Sequence, residues 1–315
     1  MNIVFMGTPD FAVASLHAIH KHFPVRAVVT VPDKAKGRGL VVQPSAVKKA
    51  ALELGITTIF QPDSLKDTTF QEALSALQPD IIAVVAFRIL PREVYTLARL
   101  GSFNIHGSLL PKHRGAAPIN WAIINGDTES GVTSFLLADS VDTGAMLGKR
   151  TITIPDGMTA GELHDVLMPL SAELAVETCR MLISENITPL PQDEQEATRA
   201  PKIFRETCHI DWQKSAREVR NHILGLSPHP GAWTLMQDGK TLKIMRCALA
   251  EANSESNFVR SLKQGEYCIE KEQWFVGCAN GSRVQILEIQ PEGKRVMSVS
   301  EFLRGFRGHH EGIFA

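Results

Sequence analysis

The sequence predicts an α/β chain in two domains, and three observations carry that prediction. Short apolar runs alternate with amphipathic stretches over the first half. One run, Ile81–Phe87, is continuously apolar, the pattern of a strand buried on both faces. Beyond residue 204 the rhythm changes to short strand-like pieces separated by turns. The first pattern argues a Rossmann-like, open, mostly parallel sheet with helices on both sides. The second argues a small all-β barrel. At 315 residues the chain also exceeds what a single core usually supports.

Taken in order, Ile3–Met6 is a strand and Phe11–His20 an amphipathic helix. Between them Gly7-Thr8-Pro9-Asp10 reads as a helix start, with Thr8 as N-cap, Pro9 in the first helical position and Asp10 in the first turn. GxGxxG is absent, so this turn is no dinucleotide fingerprint. Val25–Thr30 is the next strand, Pro44–Leu54 the next helix, Thr57–Phe60 a short strand and Leu65–Leu77 a helix by period. Ile81–Phe87 and Phe103–His106 follow as strands, and a helix begins near Ala116. Val132–Ala138 and Met146–Ile154 are later strands, and a long helix runs from Thr159 to about Ile183. The predicted linker, residues 187–204, is polar, carries three prolines and has no periodicity. It divides a domain at 1–186 from one at 205–315. The second holds a helix near Ser215–Leu226, then strand-like Ala232–Met236, Thr241–Ala248, Gln273–Gly277 and Val284–Gln290. Turns at Gln237-Asp238-Gly239 and Asn280-Gly281-Ser282 separate them.

Composition excludes several classes. No apolar run approaches a membrane span, and the start MNIVFMG lacks a signal-peptide layout. The five cysteines are odd in number and include no Cys-x-x-Cys, against a disulfide framework or zinc ribbon. Reduced thiols suit a cytoplasmic protein. The histidines His164, His209, His222, His309 and His310 show no metal-ligand spacing, so no metal is expected. The net charge of −1 divides into +3 over residues 201–315 and −4 over the rest, a mild bias. More local is the run 34–49, with Lys34, Lys36, Arg38, Lys48 and Lys49 and no acidic residue. The surrounding loop 32–44 is longer than a typical connection, and Gly37 and Gly39 allow close approach to phosphates.

The most informative stretch is FNIHGSLLPKHRGAAPINW, residues 103–121. In an extended Asn104-Ile105-His106, Asn104 and His106 share a face, aiming an amide and an imidazole into one space. In open α/β sheets ligands bind beyond the carboxyl ends of the strands, where this pair lies. The turn Asp139-Ser140-Val141-Asp142-Thr143-Gly144 can bring a carboxylate to the same place. Such a set offers a neutral and a tunable hydrogen-bond donor, with a carboxylate able to orient the histidine and assist proton transfer.

NIHGSLLPKHRGAAPINWAI with the downstream VDTG resembles the folate-dependent formyltransferases. The resemblance runs nearly end to end, through IVFMGTPDFAVASL, TVPDKAKGRGLVVQPSAVKKAA and DWQKSAREVRNHILGLSPHPGAWT. It implies Asn104, His106 and Asp142 as the catalytic set, and transfer of a formyl group from 10-formyltetrahydrofolate. It implies Ser108, Leu109, Leu110 and Pro111 as a folate wall, with Ile82–Pro91 as another. There the chain reads VAFRILP, shorter by one residue than the family's frequent VAYGxILP and without its glycine. The resemblance also implies that the loop at Lys34, Lys36 and Arg38 reaches an RNA acceptor, initiator methionyl-tRNA, and that the C-terminal domain is an OB-like fold that shares the RNA. Formyltransferases acting on glycinamide ribonucleotide match only about the first two-thirds, and those acting on sugar nucleotides do not need the basic loop. A non-enzymatic RNA-binding protein would leave Asn104, His106 and Asp142 without a purpose.

Overall fold

The computed structural model describes residues 1–36, 41–250 and 261–314. Through the first 200 residues the order is β1 Ile3–Gly7, α1 Asp10–His22, β2 Val25–Val29, β3 Lys34–Lys36, β4 Val41–Gln43, α2 Ala46–Glu53, β5 Ile59–Phe60, α3 Thr68–Ala76, β6 Ile81–Val85, α4 Arg92–Tyr95, β7 Gly101–His106, β8 Arg114–Gly115, α5 Pro118–Asn125, β9 Glu129–Leu136, β10 Met146–Thr153, α6 Ala160–Ile183 and β11 Arg199–Ala200. The remainder is α7 Ala216–Gly225, β12 Ala232–Leu235, β13 Thr241–Leu249, β14 Glu266–Glu270, β15 Gln273–Gly277, β16 Arg283–Pro291, β17 Met297–Ser298, α8 Val299–Leu303 and β18 Glu311–Ile313. One unit takes Met1–Pro118, Glu129–Ile152 and His164–Pro201; the other takes Ile119–Thr128, Thr153–Leu163 and Lys202–Ala315.

The first unit is built on a sheet of order β10-β9-β7-β6-β1-β2-β5. β1, β2, β5, β6 and β7 run parallel, and β9 is antiparallel to β7. All five residues of β1 and of β6 are buried, as unbroken apolar runs require. Ser45 caps α2 by accepting the Lys48 N–H, and Asp67 caps α3 by accepting that of Thr69, so α3 begins three residues after Leu65. The start of α1 differs from the expectation. Pro9 takes the extended N-cap conformation, and the Thr8 hydroxyl is buried without a partner instead of capping. The basic segment 32–44 is partly a hairpin, with Lys34 opposite Gln43 and Lys36 opposite Val41. The proline-rich stretch after α6 is hydrogen-bonded onto this unit. Leu190 pairs with Met146, and β11 pairs in parallel with β8.

The second unit is antiparallel, with strand path β12-β13-β16-β15-β14-β18 and β17 beside β16. α7 starts at a capping box of Ser215 and Glu218, within the stretch expected to be helical. Trp274 is fully buried at the centre, stacked on Phe302 at 5.7 Å between ring centroids. The path curls: a Cβ placed on Gly312 of β18 would stand 2.5 Å from Gln237 Nε2, just past the end of β12. β14 was not read from sequence. It forms a hairpin with β15 through Lys271 and Glu272, both at positive φ, 47° and 62°. Such two-residue turns favour Asn-Gly or Asp-Gly, and Lys-Glu gives no such signal.

Candidate active site

The site begins where parallel strands end. β6 and β7 align Val84 with Asn104 and Val85 with Ile105. The chain leaving β6 therefore sets out beside the strand end that carries Asn104 and His106. It does so through Ala86 at φ 47°, a left-handed residue where glycine would be unstrained. Arg88 then reaches back, donating to the carbonyls of Pro62 and Asp63 at 2.9 Å each, with its guanidinium over the Phe87 ring. Burial pulls the Arg88 guanidinium below its ordinary value, against a smaller opposing pull from Asp63. This stretch lines a cavity of about 790 Å³ with Lys66, Leu90, Tyr95 and Asp139 among its walls. That volume lies in the general range of small-molecule sites, but none of Asn104, His106, Asp142 or residues 108–111 lines it.

Asp139 is tied to the cavity rim by the Tyr95 hydroxyl at 2.5 Å and Arg92 Nη1 at 2.9 Å. The Tyr95 hydrogen bond chiefly holds the Asp139 carboxyl below its usual range. Asp139 opens the excursion between β9 and β10. Leu137 N–H donates to the Ser102 carbonyl near the start of β7, whereas Asp142 stands at its far end. At about 3.3 Å per residue the excursion travels roughly 13 Å along β7.

His106 is buried, 6% exposed, and its Nε2 lies 2.8 Å from the His113 carbonyl oxygen. A carbonyl only accepts, so Nε2 carries a proton and Nδ1 is the nitrogen left for other chemistry. Nδ1 faces Asp142 Oδ2 at 3.7 Å. That carboxylate also accepts the Gly115 N–H at 2.9 Å. His106 and Asp142 are therefore brought together, with Asn104 two residues back on β7. The Asn104 amide oxygen is buried and has no partner in the protein. An unmet buried acceptor costs free energy, so a satisfied structure calls for something to meet it.

The four residues after Gly107 are placed differently from one another. The Ser108 hydroxyl donates to the Lys112 carbonyl, and the Ser108 carbonyl accepts from Thr133 Oγ1. Leu110 is fully buried, its N–H donated to Thr133 Oγ1 and its carbonyl taken by Lys149 Nζ. Pro111 is buried as well, and Leu109 alone of the four is only half-buried. Burial lowers the Lys149 ammonium from its ordinary value, and Glu196 partly restores it. Thr133, Lys149, Gln192 and Thr198 all brace these loops, and sequence reading singled out none of them.

The basic segment stands elsewhere on this unit. Lys34 is exposed on β3. Lys36 ends that strand, and Arg38 lies outside the described residues. Lys48 is engaged: its ammonium donates to Asp33 at 2.7 Å and Gln61 at 2.6 Å. The Lys48 hydrogen bond is the main cause holding the Asp33 carboxyl below its usual range. Among the described residues no three His, Cys, Asp or Glu side chains gather as a metal site.

Comparison with known proteins decides the family. The formyl transferase pattern matches residues 1–178, and the formyl transferase C-terminal domain pattern matches residues 202–307. The chain belongs to the formyl transferase family. Within the family, a methionyl-tRNA formyltransferase of Caldanaerobacter subterraneus subsp. tengcongensis is 45% identical, over 97% of each chain. One from Parabacteroides distasonis is 42% identical over 98% of this chain and 96% of its own. Among solved structures, the sugar 3N-formyl transferase WlaRD, studied with dTDP and 5-N-formyl-THF, matches with a TM-score of 0.66. It is 19% identical and covers 94% of this chain and 99% of its own. Methionyl-tRNA formyltransferase from Clostridium thermocellum matches with a TM-score of 0.55 at 18% identity, over 80% of this chain and 95% of its own. These two structures speak to the fold, a parallel-rich sheet followed by a curled antiparallel one.

Proposed function

We propose that this chain transfers the formyl group of 10-formyltetrahydrofolate to the amino group of methionyl-tRNA. The observation that carries the chemistry is the His106 geometry: Nε2 is committed to a backbone carbonyl, and Nδ1 is presented toward a carboxylate. The donor, when bound, supplies an activated formyl carbon. The buried Asn104 amide oxygen, an acceptor without a protein partner, fits a bound group that donates to it and leaves the amide NH₂ for the formyl oxygen. A bond forms from the amino nitrogen to the formyl carbon while the bond from that carbon to the donor nitrogen breaks. Asn104 donates to the formyl oxygen as negative charge gathers there. His106 Nδ1 takes the proton that the amine sheds and returns it to the leaving nitrogen, which balances the exchange. Asp142 stabilises the ring while it is charged.

Acceptor choice belongs to the same proposal. The exposed Lys34, with Lys36 and Arg38, supplies charge for phosphate contacts, and the curled C-terminal sheet shares the load. Relatives named for methionyl-tRNA align over nearly the whole chain. We assign the initiator form as the acceptor. No helix of the described residues is long and apolar enough to cross a membrane. The five cysteines are buried as thiols, which supports placing the enzyme in the cytoplasm.

The test is direct. Pure protein is incubated with 10-formyltetrahydrofolate and, in parallel, with charged initiator tRNA, glycinamide ribonucleotide or an amino-sugar nucleotide. Formyl-methionyl-tRNA is the expected product. Efficient formylation of a small amine with none on tRNA would contradict the reading.

A further inference from the structure

We propose that Gln192 is a positioning residue that sets the Asp142 carboxylate against His106. The inference rests on the reading of Asp142 as part of the transfer centre. Asp142 has φ 56°, a conformation that a non-glycine residue keeps only when its surroundings hold it. Asp139 is tied to Tyr95 and Arg92, and Thr143 bonds the Ser140 carbonyl, but these ties do not reach the Asp142 carbonyl. The hold on that carbonyl comes from fifty residues away. Gln192 Nε2 donates to the carbonyls of Asp142 at 2.9 Å and Gly144 at 2.8 Å.

The orientation of that amide is chemically determined. Gln192 Oε1 accepts from Arg114 Nε at 3.0 Å and Nη2 at 2.8 Å. A guanidinium only donates, so the oxygen must face Arg114 and the NH₂ must face the turn. Arg114 is in turn fixed by Glu194 through two hydrogen bonds of 2.8 Å. Its neighbour Gly115 supplies the N–H on the Asp142 carboxylate. Residues 114–115 thus address both ends of Asp142, the side-chain carboxylate directly and the backbone through Gln192. The same segment also braces the histidine: Thr198 Oγ1 accepts the His113 N–H, and the His113 carbonyl is the one that orients His106.

Gln192→Glu tests the inference. It keeps the size of the side chain and an acceptor for Arg114, and removes both donors to the turn. Gln192→Met removes the donors without adding charge. Each is compared with the parent chain by steady-state formylation of methionyl-tRNA across pH, with thermal unfolding as the control for folding. The expected result is a kcat lowered between about 10- and 100-fold, as misplacing a reacting group costs. KM for both substrates should stay close to that of the parent, and the limb of the kcat–pH profile that reports the His106–Asp142 pair should move. In an Asp142→Ala background neither variant should lower kcat further. Parent-like kcat and pH profile in both variants, beside a slow Asp142→Ala, would overturn the positioning role and leave the transfer centre standing. A full additional loss in the Asp142→Ala background would also overturn it. Parent-like turnover in Asp142→Ala itself would remove the reading on which the inference rests.

Discussion

His106 shows how little of a residue's chemistry lies in its identity. The sequence places an imidazole and an amide on one face of a strand. The structure adds which nitrogen is free, because the His113 carbonyl claims the other. The amide oxygen of Asn104, the expected oxyanion donor, is buried without a partner in the protein. Asn104→Asp keeps the shape and replaces a donor with a charged acceptor. It should lower kcat by roughly 10²–10³-fold, the cost of losing one such donor, with unfolding little changed. Stopped-flow or quench measurements of single-turnover formylation check this, and a rate within error of the parent would contradict it. At this scale the motif around Asn104 and His106 was legible because its residues are adjacent. Gln192 was not. A single glutamine in a proline-rich stretch carries no local signal, and its partners stand 48 and 50 residues away.

Elements were legible where one face or both faces are buried. β1 and β6 appear as apolar runs, and α7 was expected near Ser215–Leu226. The misses share a physical cause, pairing without local signature. β8 and β11 are two residues each and exist only because each is the other's partner. β3 and β4 were read as loop because Lys34–Lys36 has no apolar alternation. That hairpin carries a prediction of its own. Replacing Lys34, Lys36 and Arg38 with alanine should weaken tRNA binding and flatten its salt dependence by up to about one slope unit per lost phosphate contact. Folate affinity should be unchanged. Titrations at several salt concentrations measure both, and an unaltered slope would return the segment to an ordinary solvated turn.

α7 contributes a pH dependence. Burial, reinforced by Lys214, lowers the His222 imidazole from its ordinary value, against opposing hydrogen bonds to the backbone of Cys208 and His209. A base whose folded value is depressed binds fewer protons folded than unfolded. Its contribution to stability is therefore intact above the unfolded value near 6.5 and is lost as pH falls below it. Urea unfolding of the parent should show a loss of stability from pH 7.5 to 5 that is smaller in His222→Gln. Equal losses in the two proteins would assign the acid sensitivity elsewhere.

Across the whole molecule, the change of rhythm after the long helix pointed to a parallel-rich sheet followed by an antiparallel one, as the fold has it. What the rhythm could not convey is that residues 190–200 are structural neighbours of the strand end. Hydrogen bonds from Thr198, Gln192 and Ala200 knit that stretch to residues 111–117 and to the Asp142 turn. The chemistry derived from these residues moves protons through His106 and uses no Lewis acid. Formylation of pre-charged tRNA should therefore survive chelation when monovalent salt keeps the tRNA folded. Loss restored by zinc but not by other counterions would contradict this.

The central claim is that formyl transfer to methionyl-tRNA runs through the free Nδ1 of His106. The most direct measurement is the single-turnover rate of formyl-methionyl-tRNA formation by His106→Ala with both substrates saturating. The account predicts a rate at least about 100-fold below that of the parent, with both substrates still bound and the fold intact. A His106→Ala protein that formylates methionyl-tRNA at the parent rate would contradict it.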